Sequence, residues 1–138
     1  MIIADTSGLL AFFNAREPAH QRTVDAVASS NDMIAVSPFV IAELDYLVTT
    51  RMGVDAEATV LRELGSGAYE LATISPDDVL RCAEIVTQYH DQDIGITDAS
   101  LVVLAERYDT LRLLTLDRRH FEVIRPRAGG HFELLGAL

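Results

Sequence analysis

The sequence predicts an α/β domain built on a mainly parallel sheet, and three observations carry that reading. Short apolar runs at Ile2–Ala4, Met33–Val36 and Leu111–Leu116 alternate with longer segments of helical periodicity. Several of those segments carry explicit start and stop signals, such as Ser75-Pro76 at one beginning and Gly65-Ser66-Gly67 at one end. The chain has 138 residues, 49% of them hydrophobic, which suffices to bury a core without disulfides.

Taken in order, Ile2–Ala4 reads as a buried strand, followed by Asp5, Thr6 and Ser7 and a helix through Phe13. Pro18–Ser29 reads as an exposed helix with proline in its first turn. Met33–Val36 is the second strand, after which Ser37 and Pro38 open a long helix that sets Val40, Glu43 and Leu47 along one face. Val54–Leu64 turns back as the second arm of a helical hairpin. Tyr69–Ala72 reads as a short strand, and a serine cap, a proline and two aspartates start the next helix. The loop Asp91–Ile96 leads to the apolar helix TDASLVVLAERY, with Thr97 or Asp98 as its cap. Leu111–Leu116 is a strand, DRRHF a turn or short helix, and His131–Leu135 an edge strand behind two glycines. No repeat or linker interrupts residues 1–138, which predicts one domain.

Charge and composition exclude several classes of chemistry. The net charge of −10 argues against broad electrostatic adhesion to nucleic acid, although a local basic rim is compatible with it. All eleven basic side chains are arginine. Without lysine there is no Schiff base, no Walker-type phosphate site and no receiver-domain phosphorylation. Cys82 stands alone and the four histidines lack ligand spacing, so zinc is not expected. No apolar run is long enough to span a bilayer and an acid already stands at position 5, which predicts a soluble, cytoplasmic protein.

The carboxylates are the candidate chemistry. Asp5 and Asp117 fall just beyond strand ends, where open α/β sheets place functional residues. Each also has an ordinary reading as a cap or turn residue, and Asp98 shares it. Glu43 lies among apolar neighbours, where a carboxylate needs compensation by an arginine or a metal. Asp45 is a competing acid without a clear partner, and Asp93 sits in a loop that favours solvation. Four converging acids would repel one another unless a divalent cation intervened, and oxygen ligands suit Mg²⁺ or Mn²⁺. Such a site can activate water for in-line attack on a phosphodiester.

The ordered series IIADTSGLLA, PFVIAELDYL, GITDASLVVLAERY and LLTLDRRHF resembles the PIN-domain proteins, and more narrowly the VapC-type toxins of VapBC toxin-antitoxin pairs, from residue 2 to about 121. The resemblance implies a three-layer α/β/α fold and an Mg²⁺- or Mn²⁺-dependent endoribonuclease that cuts structured RNA, a tRNA or the sarcin-ricin loop of ribosomal RNA, to stop translation. Asp5, Glu43, Asp98 and Asp117 match the acidic quartet of that family. Asp5 and Asp98 correspond to direct metal ligands, Glu43 to a residue holding the metal or its water, and Asp117 to the most variable corner. Thr6 and Thr115 would orient carboxylates by hydrogen bonds. Arg118, Arg119 and His120 follow Asp117 at the rim, and the two arginines are candidate RNA contacts.

The resemblance also implies a homodimer and a VapB-type antitoxin, in a heterotetramer or larger complex, with the helical hairpin at 38 to 64 as docking surface. A haloacid-dehalogenase-like reading fails because Ser7 stands where a second aspartate is needed. A catalytically silent PIN-like module that binds RNA or a partner is the remaining alternative; loss of one or more acids is its expected signature.

Overall fold

The computed structural model describes residues 1–138. Five strands, β1 (Ile2–Ala4), β2 (Ile34–Val36), β3 (Glu70–Leu71), β4 (Arg112–Leu114) and β5 (Glu133–Leu135), form one sheet in the order β3-β2-β1-β4-β5. Every pairing is parallel, including the last edge strand. Ile2, Ile3 and Ala4 are all 0% exposed. Successive strand residues point to opposite faces, so full burial of the central strand means that both faces of the sheet are covered. The layers are therefore helix, sheet and helix, the three-layer arrangement expected from the motifs.

The helices that cover it are α1 (Thr6–Phe13), α2 (His20–Ser30), α3 (Pro38–Met52), α4 (Val54–Leu64), α5 (Pro76–Gln88), α6 (Ile96–Arg107) and the short α7 (Arg118–Phe121). None is long and apolar enough to cross a membrane. Helix α6 is the innermost, with every residue from Ala99 to Ala105 buried. That is why its sequence is apolar all round rather than along one stripe. Ser75 and Asp78 form a reciprocal capping box at the start of α5, as the serine and acids in its first turn predict.

The structure corrects several boundaries. Helix α2 begins at His20, with Ala19 as a cap that has no side-chain acceptor, so Pro18 belongs to the preceding turn. Strand β4 ends at Leu114 because Thr115 turns its hydroxyl onto carboxylate and backbone groups beyond the sheet. Helix α6 is entered from Gly95 in an extended conformation, so neither Thr97 nor Asp98 caps it. The buried stripe of α3 runs through Val40, Leu44 and Val48, spaced by four, and Glu43 lies outside it.

One glycine fixes the approach of α1 to the sheet. A Cβ on Gly8 would stand 2.1 Å from the Leu114 carbonyl oxygen, which is backbone and has no rotamer to escape into. Gly8→Ala is expected to lower stability by about 1–3 kcal/mol, as overpacking against a fixed neighbour does. Urea unfolding of the two proteins measures it, and an unchanged midpoint would show that α1 can move away.

Candidate active site

The chain winds from β1 outward to β2 and β3, then returns to place β4 on the other side of β1. The β1/β4 junction is therefore the point where strand order reverses, and its carboxyl end opens as a crevice. Asp5 directly follows β1, and Asp117 lies three residues beyond the end of β4. Glu43 comes from α3 and Asp98 from the first turn of α6. All four line one cleft of about 360 Å³, together with Thr6, Ser7, Glu17 and Arg51.

Asp5 is the most firmly held of the four. Its Oδ1 accepts the Thr6 backbone N–H at 2.8 Å, and its Oδ2 accepts the Thr115 hydroxyl at 2.8 Å and the Ser7 hydroxyl at 3.3 Å. Ser7 also accepts the Leu116 N–H at 3.0 Å and so joins α1 to the loop after β4. Thr6 therefore acts on Asp5 through its backbone, while its hydroxyl is buried with no partner. Ser7, which sequence reasoning passed over as a ligand of Asp5, takes the part assigned to the Thr6 side chain. The signal was available in the DTS triplet, but the spacing cannot say which hydroxyl turns inward. Burial raises the Asp5 pKa above its ordinary value, the charges of Glu43 and Asp117 push the same way, and the hydrogen bonds from Thr115 and Thr6 oppose them.

Glu43 is exposed, not buried. It reaches the cleft from the solvent edge of α3, where Leu47, one turn on, forms part of the same wall. The argument from desolvation on an apolar face does not hold for it, and no arginine pairs with it. Asp45 turns instead toward Glu57 of α4. Asp93 lies outside the cleft with a left-handed backbone, φ 55°.

Asp98 has its pKa pushed up to about 6, chiefly by burial and next by the charge of Asp5, with His120 opposing. His120 is not a rim residue. It is 6% exposed, and its Nδ1 lies 2.9 Å from Asp98 Oδ2 and 3.6 Å from Asp117 Oδ2. Asp117 has two duties at once: its Oδ1 accepts the Arg119 N–H at 2.9 Å, capping α7, while its side chain also lines the cleft. Asp117 thus caps a turn, as its residue type predicts, and also stands in the cleft with the other three acids.

The guanidinium groups after Asp117 are engaged within the protein. Arg118 pairs with Glu122 at 2.6 Å and donates to the Leu138 carbonyl, and Arg119 reaches His120 Nε2 at 3.3 Å. Arg51, at the end of α3, lines the cleft and takes part in no ion pair. The largest depression, about 670 Å³, lies at the other end of the sheet, beside Asp32, Arg112 and Glu133. Its arginines are paired, Arg112 with Asp32 and Glu133 and Arg127 with Glu84, whereas the four acids that the sequence singles out meet in the smaller cleft.

The residues present fit a hydrated divalent cation. Four carboxylates face one space with no arginine pair among them, two have raised pKa values, and a buried hydroxyl on Thr6 lacks a partner. No three acidic or imidazole groups stand close enough to enclose an ion by themselves. A small hard cation that keeps several waters and takes only one or two carboxylates directly suits that spacing.

A raised carboxylate pKa means that the folded state binds the proton more tightly than the unfolded chain. Asp98 thus contributes stability below about pH 4, which is lost as pH rises toward about 6. Metal-free Asp98→Asn is expected to melt higher than metal-free wild type at pH 7.5, with the difference vanishing near pH 4. Thermal melts in the presence of a chelator at both pH values check this.

The PIN domain family pattern matches residues 2–125. The chain is 56% identical over 134 residues to Ribonuclease VapC26 of Mycobacterium tuberculosis (strain ATCC 25618 / H37Rv), covering 97% of this chain and 99% of that one. Its fold is similar to M. tuberculosis VapC20, described as a sarcin-ricin loop cleaving toxin, with a TM-score of 0.78, 19% identity and coverage of 86% and 91%. It is also similar to VapBC2 from Rickettsia felis bound to a DNA fragment from their promoter, with a TM-score of 0.67, 20% identity and 97% of each chain covered. A parallel five-stranded sheet, an acidic cleft at its switch point and this degree of identity agree: the chain belongs to the PIN-domain family, and within it to the VapC branch.

Proposed function

We propose that this protein is a divalent-cation-dependent endoribonuclease, the toxin of a type II toxin-antitoxin pair, which hydrolyses a phosphodiester bond in a structured RNA and thereby stops translation. The observation that carries the reading is the meeting of Asp5, Glu43, Asp98 and Asp117 in one open cleft. A silent binding module has no use for four mutually repelling acids, and here none of the four positions is lost. The description of M. tuberculosis VapC20 favours the sarcin-ricin loop as substrate, and the VapBC2 complex favours a VapB-type antitoxin as partner, while tRNA as the other substrate class and a homodimeric toxin rest on the family resemblance.

Asp5 and Asp98 would hold the cation, Mg²⁺ or Mn²⁺, and Glu43 and Asp117 would complete the acidic lining around it. When bound, the cation neutralises the acids and supplies an activated water and charge stabilisation for in-line displacement at phosphorus. The chain's own residues do the orienting. Thr115 and Ser7 hold one oxygen of Asp5, and the Thr6 amide holds the other, so the carboxylate cannot rotate away. Glu43 stays accessible to solvent at the cleft edge, where it can accept the proton of an attacking water.

An RNA approaching a chain of net charge −10 needs local cations. Arg51 is the free guanidinium of the cleft and makes the first phosphate contact. Arg118, outside the cleft lining, contributes a second contact, because an exposed pair such as that with Glu122 is worth little and yields to a phosphate. Arg119, exposed on its outer side, directs its guanidinium to His120 Nε2.

Purified protein, freed of antitoxin, is expected to cleave RNA with Mg²⁺ or Mn²⁺ and to stop when the ion is chelated. Asp5→Ala and Asp98→Ala should each lower the rate on the order of 10³-fold, the equivalent of several kcal/mol, while leaving the fold intact. Asp117→Ala should cost least. Equal cleavage by folded Asp98→Ala protein would refute the assignment, and mapping of 5′ ends after brief expression would name the RNA. Arg51→Ala is expected to raise KM with little change in kcat, and to reduce the slope of log affinity against log salt by about one. An unchanged slope would remove Arg51 from the RNA interface.

A further inference from the structure

We infer that His120 is the positioning residue for Asp98, holding its carboxylate toward the cleft through Nδ1–H, and that Arg119 fixes the imidazole in the tautomer this requires. The inference rests on the cation-site reading above and extends it to two residues outside the acidic quartet.

The contrast between the two principal acids points to this role. Asp5 receives three donors, from Thr6, Thr115 and Ser7. Asp98 receives none of that kind: it does not cap its helix, and no hydroxyl or backbone amide reaches its oxygens. The polar group that meets it is the His120 ring, 2.9 Å away. Without that contact its carboxylate is free to turn about its side-chain bonds, and a cation would lose the entropy of ordering it.

The far side of the ring decides the tautomer. A guanidinium has donors only, so Arg119 Nη2 at 3.3 Å makes His120 Nε2 an acceptor. In the neutral ring the remaining proton is then on Nδ1, the nitrogen between Asp98 and Asp117. The Nδ1–H is not aligned at full hydrogen-bond geometry with either oxygen. It lies between two acceptors and is the only donor side chain they share.

The backbone leaves the ring little room to withdraw. The N–H groups of Val123 and Ile124 both donate to the His120 carbonyl, at 3.1 and 3.0 Å, and Asp117 caps the turn from the other side. Phe121, the next residue, is 0% exposed and packs edge-on against Phe132 at 6.3 Å. His120 does not itself line the cleft but stands behind Asp98 and Asp117, which do, and this separates the ring from the groups that would meet RNA.

The test is Mn²⁺ binding to the full chain in the absence of RNA, followed by isothermal calorimetry, with a thermal melt of each variant. His120→Leu, which keeps the volume and removes the donor, is expected to weaken Mn²⁺ by about 10–100-fold, the range for loss of a group that orients a metal ligand. His120→Asn, which keeps a donor near the Nδ1 position, should recover most of that loss. Arg119→Ala, at an exposed position that tolerates truncation, should give a smaller loss, below about tenfold. If wild type binds Mn²⁺ and the Leu and Asn variants bind alike, His120 only fills space and the inference falls while the cation site stands. If wild type itself binds no Mn²⁺, both fall. Unchanged affinity in Arg119→Ala overturns the part assigned to Arg119 and, should His120→Leu fail to fold, His120→Gln takes its place: its donor falls near the Nε2 position, so it is expected to lose Mn²⁺ affinity as Leu would, and wild-type affinity in it overturns the inference.

Discussion

The Asp5 amide donates to the Leu114 carbonyl at 2.9 Å, and this backbone bond ties the ends of β1 and β4 together. It fixes where Asp5 stands relative to Thr115 and Asp117, which follow on the neighbouring strand. Gly8 passes over the same carbonyl with no room for a side chain, so α1 leaves the strand in one direction only. The hydroxyls of Ser7 and Thr115 then fall within reach of one carboxylate oxygen. A site of this kind is a property of strand register first and of residue chemistry second, because a slip of one residue would turn Asp5 to the other face.

The cleft works against the stability of the metal-free fold. Burial and mutual repulsion raise the pKa values of Asp5 and Asp98, and no arginine relieves them. Elsewhere the chain neutralises its acids carefully: Glu106 accepts Arg81 and the Arg127 amide, and Asp78 accepts Arg107 and the Ser75 amide. In the cleft the one arginine, Arg51, pairs with none of the four acids, so their repulsion stays uncompensated within the chain.

Much of the fold was legible because its signals are local. Alternating apolar runs and helical segments place five strands and six of the seven helices, and Ser75, Pro76 and Asp78 mark a helix start that the structure keeps. The errors have a common cause. The sequence places Glu43 on an apolar stripe, but the stripe that packs is set by Val40, Leu44 and Val48, and a difference of one residue rotates a helix face by about 100°. Asp98 reads as a cap because Asp is a favoured cap residue, yet Gly95 enters the helix earlier and Asp98 falls inside the first turn, aimed at the cleft.

By itself the sequence determined the class of fold, the strand ends that carry Asp5 and Asp117, the absence of lysine chemistry and the acidic character of the site, since these depend on residue type and on short-range pattern. Tertiary structure alone decided which side chains serve those acids. Ser7 rather than the Thr6 hydroxyl reaches Asp5, His120 is buried against Asp98 rather than set at the rim, and Arg51, far along α3, is the cation left free in the cleft. The reason is physical: orientation about a helix axis and burial behind a neighbouring loop are fixed by packing between segments remote in the chain, and no local pattern records them.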